Sequence, residues 1–116
     1  MRVCVITQDE AVAALVREGT RAAEAKIFKS SDEFIKCVLA PDRPGLIFID
    51  LTSIKDGLRA VQFIKSSSEI RSIPVIVIVP MGQPDPEIAI SQPDGVLVFP
   101  FSADEVAALA TRRAPT

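Results

Sequence analysis

Histidine, tryptophan and tyrosine are all missing from this 116-residue chain, and it has only two cysteines and five glycines. Each shortage removes a class of function. Without histidine the chain loses the commonest general base, the commonest metal ligand and every Ser-His or Cys-His nucleophile pair. Metal sites of the Cys/His type are excluded by counting. Cys4 falls inside a strand by pattern and Cys37 inside a helix, whereas a phosphocysteine enzyme needs its thiol at a strand's end in an amide-rich loop. This is the cysteine usage of a reducing cytoplasm, where each is a small buried hydrophobe. The glycines do not cluster after a strand, so neither a P-loop nor a dinucleotide fingerprint is present. A glycine-flanked serine elbow is missing too. No apolar stretch approaches the length of a membrane span, and the N-terminus runs straight into a strand, so no signal peptide is expected. With 13 basic against 15 acidic residues, the net charge of −2 predicts neither nucleic acid nor an anionic membrane as partner.

What the chain does have is apolar content, 48% of its residues, enough at this length to bury one core. One domain is expected over residues 1–111, followed by a polar tail over 112–116. The pattern is five alternations of strand and helix. Strands are read at Arg2 to Ile6, Ala25 to Lys29, Leu46 to Asp50, Val75 to Val79 and Gly95 to Phe99. Capping boxes at Thr7-x-x-Glu10, Ser30-x-x-Glu33 and Ser102-x-x-Glu105 open the first, second and fifth helices. The charges of the second strand suit a sheet edge, where unpaired backbone must be protected. Pro74 stands at a strand's first position, where it is tolerated.

The third strand, Leu46-Ile47-Phe48-Ile49-Asp50, is apolar until its last residue. Such a run is buried on both faces, as in the middle of a parallel sheet with helices on each side. Five βα units with right-handed crossovers predict a doubly wound, five-stranded parallel sheet in the flavodoxin-like order. Asp50 then stands at the carboxyl end of a central strand, where open α/β sheets bind ligands.

Four segments in this order resemble the receiver domains of bacterial two-component response regulators: Phe48-Ile49-Asp50-Leu51, Asp56-Gly57, Ile73-Pro74-Val75-Ile76 and Val98-Phe99-Pro100-Phe101. The resemblance runs over nearly the whole chain. It implies a (βα)5 receiver fold in which the aspartate at Asp50's position accepts a phosphoryl group from a histidine kinase. That transfer needs Mg²⁺ held by acidic side chains and a positioned lysine to neutralise the equatorial oxygens. It also implies that the peptide at Phe99-Pro100 is cis, which X-Pro bonds accommodate.

The departures from the receiver pattern are concentrated at the chemistry. The two metal-holding acids fall on Thr7 and Gln8. The lysine falls on Phe99, with no lysine or arginine within several residues. The hydroxyl residue that follows the phosphoryl group falls on Val79, and the aromatic that moves with it falls on Val96. The loop Leu51-Thr52-Ser53-Ile54-Lys55 is one residue shorter than the pattern and lacks its Met-Pro. Asp9 and Glu10 are the acids nearest the pocket. They suit the start of a helix, where negative charge meets the macrodipole; an irregular turn that returns one of them to the pocket is the alternative.

A further departure concerns shape. Between Val79 and Gly95 receivers place a full helix. Here Asp85-Pro86 is a good helix start and Pro93 forbids a long continuation, so the fourth helix is expected to be short or irregular, two turns at most. The whole set describes a pseudo-receiver, a phosphorylation-independent interaction module and not an enzyme, with no cofactor. Its expected partner is a signalling or localisation protein, either a histidine kinase or another regulator, and a homodimer is open. The expected docking surface runs from Pro80 to Pro93 with Met81 and Ile88, and continues through Val96, Val98 and the last helix. The alternative is a weakly phosphorylatable receiver, with Asp50 as acceptor and Asp9 or Glu10 helping it to hold Mg²⁺. A more distant one is a small ligand-binding domain using the Asp50 crevice.

Overall fold

The structure, a computed structural model, describes residues 2–21, 24–38, 43–82 and 85–113. Residues 83–84, the end of the expected tail at 114–116 and the side chain of Cys37 lie outside the described residues.

Apolar runs become strands and amphipathic runs become helices in strict alternation. The elements are β1 (Arg2–Ile6), α1 (Glu10–Gly19), β2 (Glu24–Phe28), α2 (Ser31–Val38), β3 (Leu46–Asp50), α3 (Gly57–Ser66), β4 (Val75–Pro80), α4 (Pro86–Ser91), β5 (Gly95–Phe99) and α5 (Ala103–Arg113). All strand pairs are parallel, in the order β2-β1-β3-β4-β5, which is the flavodoxin-like order. The second strand is an edge, as its charges suggest, although it begins one residue earlier than its sequence pattern indicates. α5 continues through Arg113, two residues into the segment read as tail.

Because strand side chains alternate, each central strand feeds two cores. Ile47 and Ile49 of β3 join Ile6, Phe34, Val61 and Ile64 on the α2/α3 side. Leu46 and Phe48 join Val12, Val16, Leu97 and Val106 on the α1/α5 side. All five residues of β3 are buried, so the strand's end is fixed by packing on both faces before any polar contact is counted.

Polar contacts fix the two ends of the sheet. At the amino end of β4, Asp94 Oδ2 accepts from Lys65 Nζ at 2.6 Å and from the Val75 amide at 2.8 Å. Lys65 also donates to the carbonyls of Arg71 and Ile73, each at 3.3 Å. This clamp ties the end of α3 to the start of β4 and the approach to β5. At the helix starts, the box at Ser102 forms in both directions, with the Glu105 amide donating to Ser102 Oγ and the Ser102 amide to Glu105 Oε1. The box at Ser30 forms in modified form, since Glu33 receives the amide of Lys29 instead of that of Ser30.

The short fourth helix has the local causes that the sequence suggests. Asp85 Oδ1 accepts from the Glu87 amide at 2.9 Å and Pro86 is the first helical residue. The helix runs for six residues. Gln92 then adopts a left-handed conformation at φ 55°, and Pro93 follows, a common way to end a helix. The peptide between Phe99 and Pro100 is cis.

α1 and α5 approach closely at Gly19. A methyl group there would lie 2.5 Å from Val106 Cβ and 2.7 Å from the Ala103 carbonyl oxygen. An unconstrained Gly→Ala change in a helix gains up to about 1 kcal/mol. Here the collision with backbone reverses the sign, and Gly19→Ala is expected to lose about 1–3 kcal/mol. Urea unfolding followed by far-UV circular dichroism reads this directly, and a raised midpoint would contradict the close approach.

Candidate functional site

The carboxyl ends of β1 and β3 lie side by side at the switch point of the sheet, with Ile6 paired to Ile49. Thr7 and Asp50 are the residues that follow from that pairing, one just beyond β1 and one ending β3. Both are buried, at 2% and 0% exposure. A carboxylate with no access to water has to find its donors within the protein.

It finds four. Thr7 Oγ1 donates to Asp50 Oδ2 at 2.6 Å, and Ser53 Oγ donates to the same oxygen at 2.8 Å. Asp50 Oδ1 accepts from the Thr52 amide at 3.0 Å and from Thr52 Oγ1 at 2.5 Å. The donors themselves are held in turn. Ser53 Oγ accepts from the Gln8 amide at 3.0 Å, and Thr7 Oγ1 accepts from the Asp9 amide at 3.0 Å. Gln8 Nε2 reaches the Lys29 carbonyl at 3.2 Å. The network therefore binds the loops after β1, β2 and β3 into one unit, and no buried side-chain polar atom of the described residues is left without a partner.

This geometry changes the reading of the first turn. Thr7 does not cap α1: its hydroxyl donates to Asp50 and accepts from the Asp9 amide instead of the Glu10 amide. The cap is Asp9, whose Oδ1 accepts from the Ala11 amide at 2.9 Å. Shifting the cap by two residues keeps the helix start satisfied while Thr7 serves the buried carboxylate. Glu10 is the first helical residue and is exposed. Neither acid is brought onto Asp50, and among the described residues no group of three or more His, Cys, Asp and Glu side chains is placed to hold a metal ion.

Two other positions of the receiver pattern, Phe99 and Val79, pack against the two cores. Phe99 packs edge-on against Phe101, with ring centroids 6.1 Å apart, and both rest on the α1/α5-side cluster. Val79 packs against the α2/α3-side cluster. Asp56, just before α3, makes no capping bond and instead accepts from Ser31 Oγ at 2.9 Å.

A second feature lies on the α3/α4 side of the sheet. α4 leans on α3, with Ile88 packed against the core below it, and so does not cover the outer side chains of β5. Val96 and Val98 remain 47% and 46% exposed, and Met81 72%. These three line one groove of about 820 Å³ with Ile88, Leu58 and Lys55. All four side chains singled out from the sequence as a partner surface are thus brought to one place. Missed in the sequence were Thr52 and Ser53, which complete the Asp50 network, and Lys55, which lines the groove. A polar pair directly after an aspartate is a signal for a turn that folds back on it.

No protein-family model matches the chain, and no curated protein matches it. Solved structures do. A candidate response regulator from Chloroflexus aurantiacus is 17% identical and superposes with a TM-score of 0.85 over 96% of this chain and 94% of its own. The Mn²⁺-bound form of response regulator Rcp1 is 20% identical, with a TM-score of 0.82 over 98% and 94%. The receiver domain of NtrX from Brucella abortus is 22% identical, with a TM-score of 0.78 over 96% of each chain. The fold is that of a response regulator receiver domain.

If the hydroxyl network is what holds the switch-point loops, Thr7→Val should be far more damaging than removal of a solvent-exposed cap. It strips one donor from a buried carboxylate and the acceptor from the Asp9 amide, which is expected to cost about 1–3 kcal/mol. Ser102→Ala, at an exposed cap, is expected to cost about 1 kcal/mol or less. Parallel urea melts compare the two, and equal losses would mean that the network contributes little.

Proposed function

We propose that this chain is a receiver-type module of two-component signalling that acts by docking a protein partner, independently of phosphorylation. The observation that carries the reading is the state of Asp50. A phosphoacceptor must present an oxygen to the donor in line with the leaving group. Asp50 is fully buried, and both of its oxygens already accept two hydrogen bonds. Among the described residues no cation and no second acid is hydrogen-bonded to it: Thr7, Gln8 and Phe99 stand at the receiver positions for metal ligands and lysine, and Asp50 takes hydroxyl and amide donors instead.

The fold supplies the signalling context, and the groove beside β5 supplies a surface. The partner is a signalling or localisation protein, of which a histidine kinase or another regulator are the expected classes. Cysteine usage favours the cytoplasm, and among the described residues no helix is long and apolar enough to cross a membrane.

The weak-receiver alternative requires Asp9 or Glu10 to hold Mg²⁺ together with Asp50. Asp9 is occupied as the cap of α1 and Glu10 is exposed at its start, which weighs against it. An amide-resolved NMR titration with Mg²⁺ and beryllofluoride, a stable mimic of a phosphoryl aspartate, separates the two. The expected result is no saturable shift at Thr7, Asp50, Ser53 or Val79 at millimolar metal. A saturable shift there, or a phosphoryl mass increment after incubation with acetyl phosphate, would overturn the proposal. Likewise Asp50→Asn, where folded, is expected to leave signalling nearly unchanged.

A further inference from the structure

In a doubly wound sheet each strand face is normally covered by a helix. β5 meets this rule on one face only. Leu97 is buried against the α1/α5-side cluster, while Val96 and Val98 face the other way and stay about half exposed. The cause is local. α4 is six residues long and leans on α3, so the helical layer stops one helix short of the sheet's edge.

The gap lies where the fold places its helical layer, and the groove measures about 820 Å³. Its walls come from Leu58 at the start of α3, from Met81 after β4 and from Val96 and Val98 of β5. Its charged lining is not neutral in availability. Asp85 is engaged by the Glu87 amide, whereas Lys55 makes no ion pair or side-chain hydrogen bond with any described residue. The groove thus offers an apolar floor and, among the described residues, one unpaired cation at the carboxyl end of the sheet.

Resting on the interaction-module reading above, we infer that the partner contributes an amphipathic helix that lies in this groove as the missing layer over β5, its apolar stripe on Val96 and Val98 and an acidic side chain paired with Lys55. Recognition of this kind uses apolar anchors at i, i+3, i+4 and i+7. The acidic residue fixes the direction in which the helix lies and disfavours helices with a basic residue at that point.

Selection from a displayed library of 16-residue helical peptides, randomised on one face and screened against the whole 116-residue chain, tests this. The expected consensus is an apolar stripe at helical spacing with one Asp or Glu. A selected peptide, followed by fluorescence anisotropy, should lose binding to Val96→Lys, whose folding is checked by its thermal melt. Binding to Lys55→Glu should weaken about fivefold, the range of one exposed ion pair, and a peptide with its acid changed to Lys should recover it. Selected peptides with two-residue alternation would overturn the proposal in favour of strand addition at the β5 edge. Binding unaffected by Val96→Lys would remove the groove as the site. Sedimentation of the free chain as a dimer that Val96→Lys dissociates would assign the groove to a second copy. The beryllofluoride titration is independent of all three, so failure of phosphorylation independence and failure of the helix proposal are distinguishable.

Discussion

Burying a carboxylate at the switch point is the constraint around which the upper end of this molecule is arranged. Asp50 ends a strand packed on both faces, and its side chain is fully buried. Its charge has to be met inside, and an unmet buried charge is among the most expensive defects a fold can carry. Three hydroxyls and one amide meet it. Their own positions are then fixed by Gln8, Asp9 and Lys29, so that one buried side chain organises the loops after three different strands. The displaced cap of α1, moved from Thr7 to Asp9, follows from the same demand.

The choice of hydroxyls has a consequence for chemistry. Two or three carboxylates in such a crevice repel one another and invite a divalent cation to relieve them. Hydroxyls carry no charge and rotate to donate, so the site is satisfied as it stands. Four internal donors fill the acceptor positions of Asp50, which is the basis for the proposal that it neither holds an ion nor accepts a phosphoryl group. A receiver-like position has become an internal brace.

Much of this architecture could be read from the residues. The doubly apolar run of β3, the proline at the start of β4, the Asp85-Pro86 and Pro93 bounds of α4 and the Ser102 box are local signals, and each appears in the structure where its physics puts it. Local signals failed where a tertiary demand outweighed them. Thr7-x-x-Glu10 is a sound capping pattern, and Asp9 is an equally good cap two residues on. Nothing local chooses between them, and only the burial of Asp50, forty-three residues away, does so. In the same way the partnership of Thr52 and Ser53 with Asp50 is a turn signal whose importance depends on how deeply the aspartate is buried. The direction in which α4 leans, and hence the exposure of one face of β5, depends on how a short helix packs and not on its own sequence.

The brace and the groove belong to one physical situation. A domain switches only if some ligand or modification binds its two states with different affinity. On the function proposed above, Asp50 is saturated internally and Val79 and Phe99 pack against the two cores, so the crevice lacks a group to report an added charge to β4 or β5. On that reading the β4–α4 segment need not hold two arrangements, and a helix too short to cover β5 is not a defect in a moving part. It leaves a fixed apolar recess beside an edge strand. A preformed recess lowers the ordering penalty of binding, which would suit the proposed docking module, whose occupancy would be set by concentration and affinity alone.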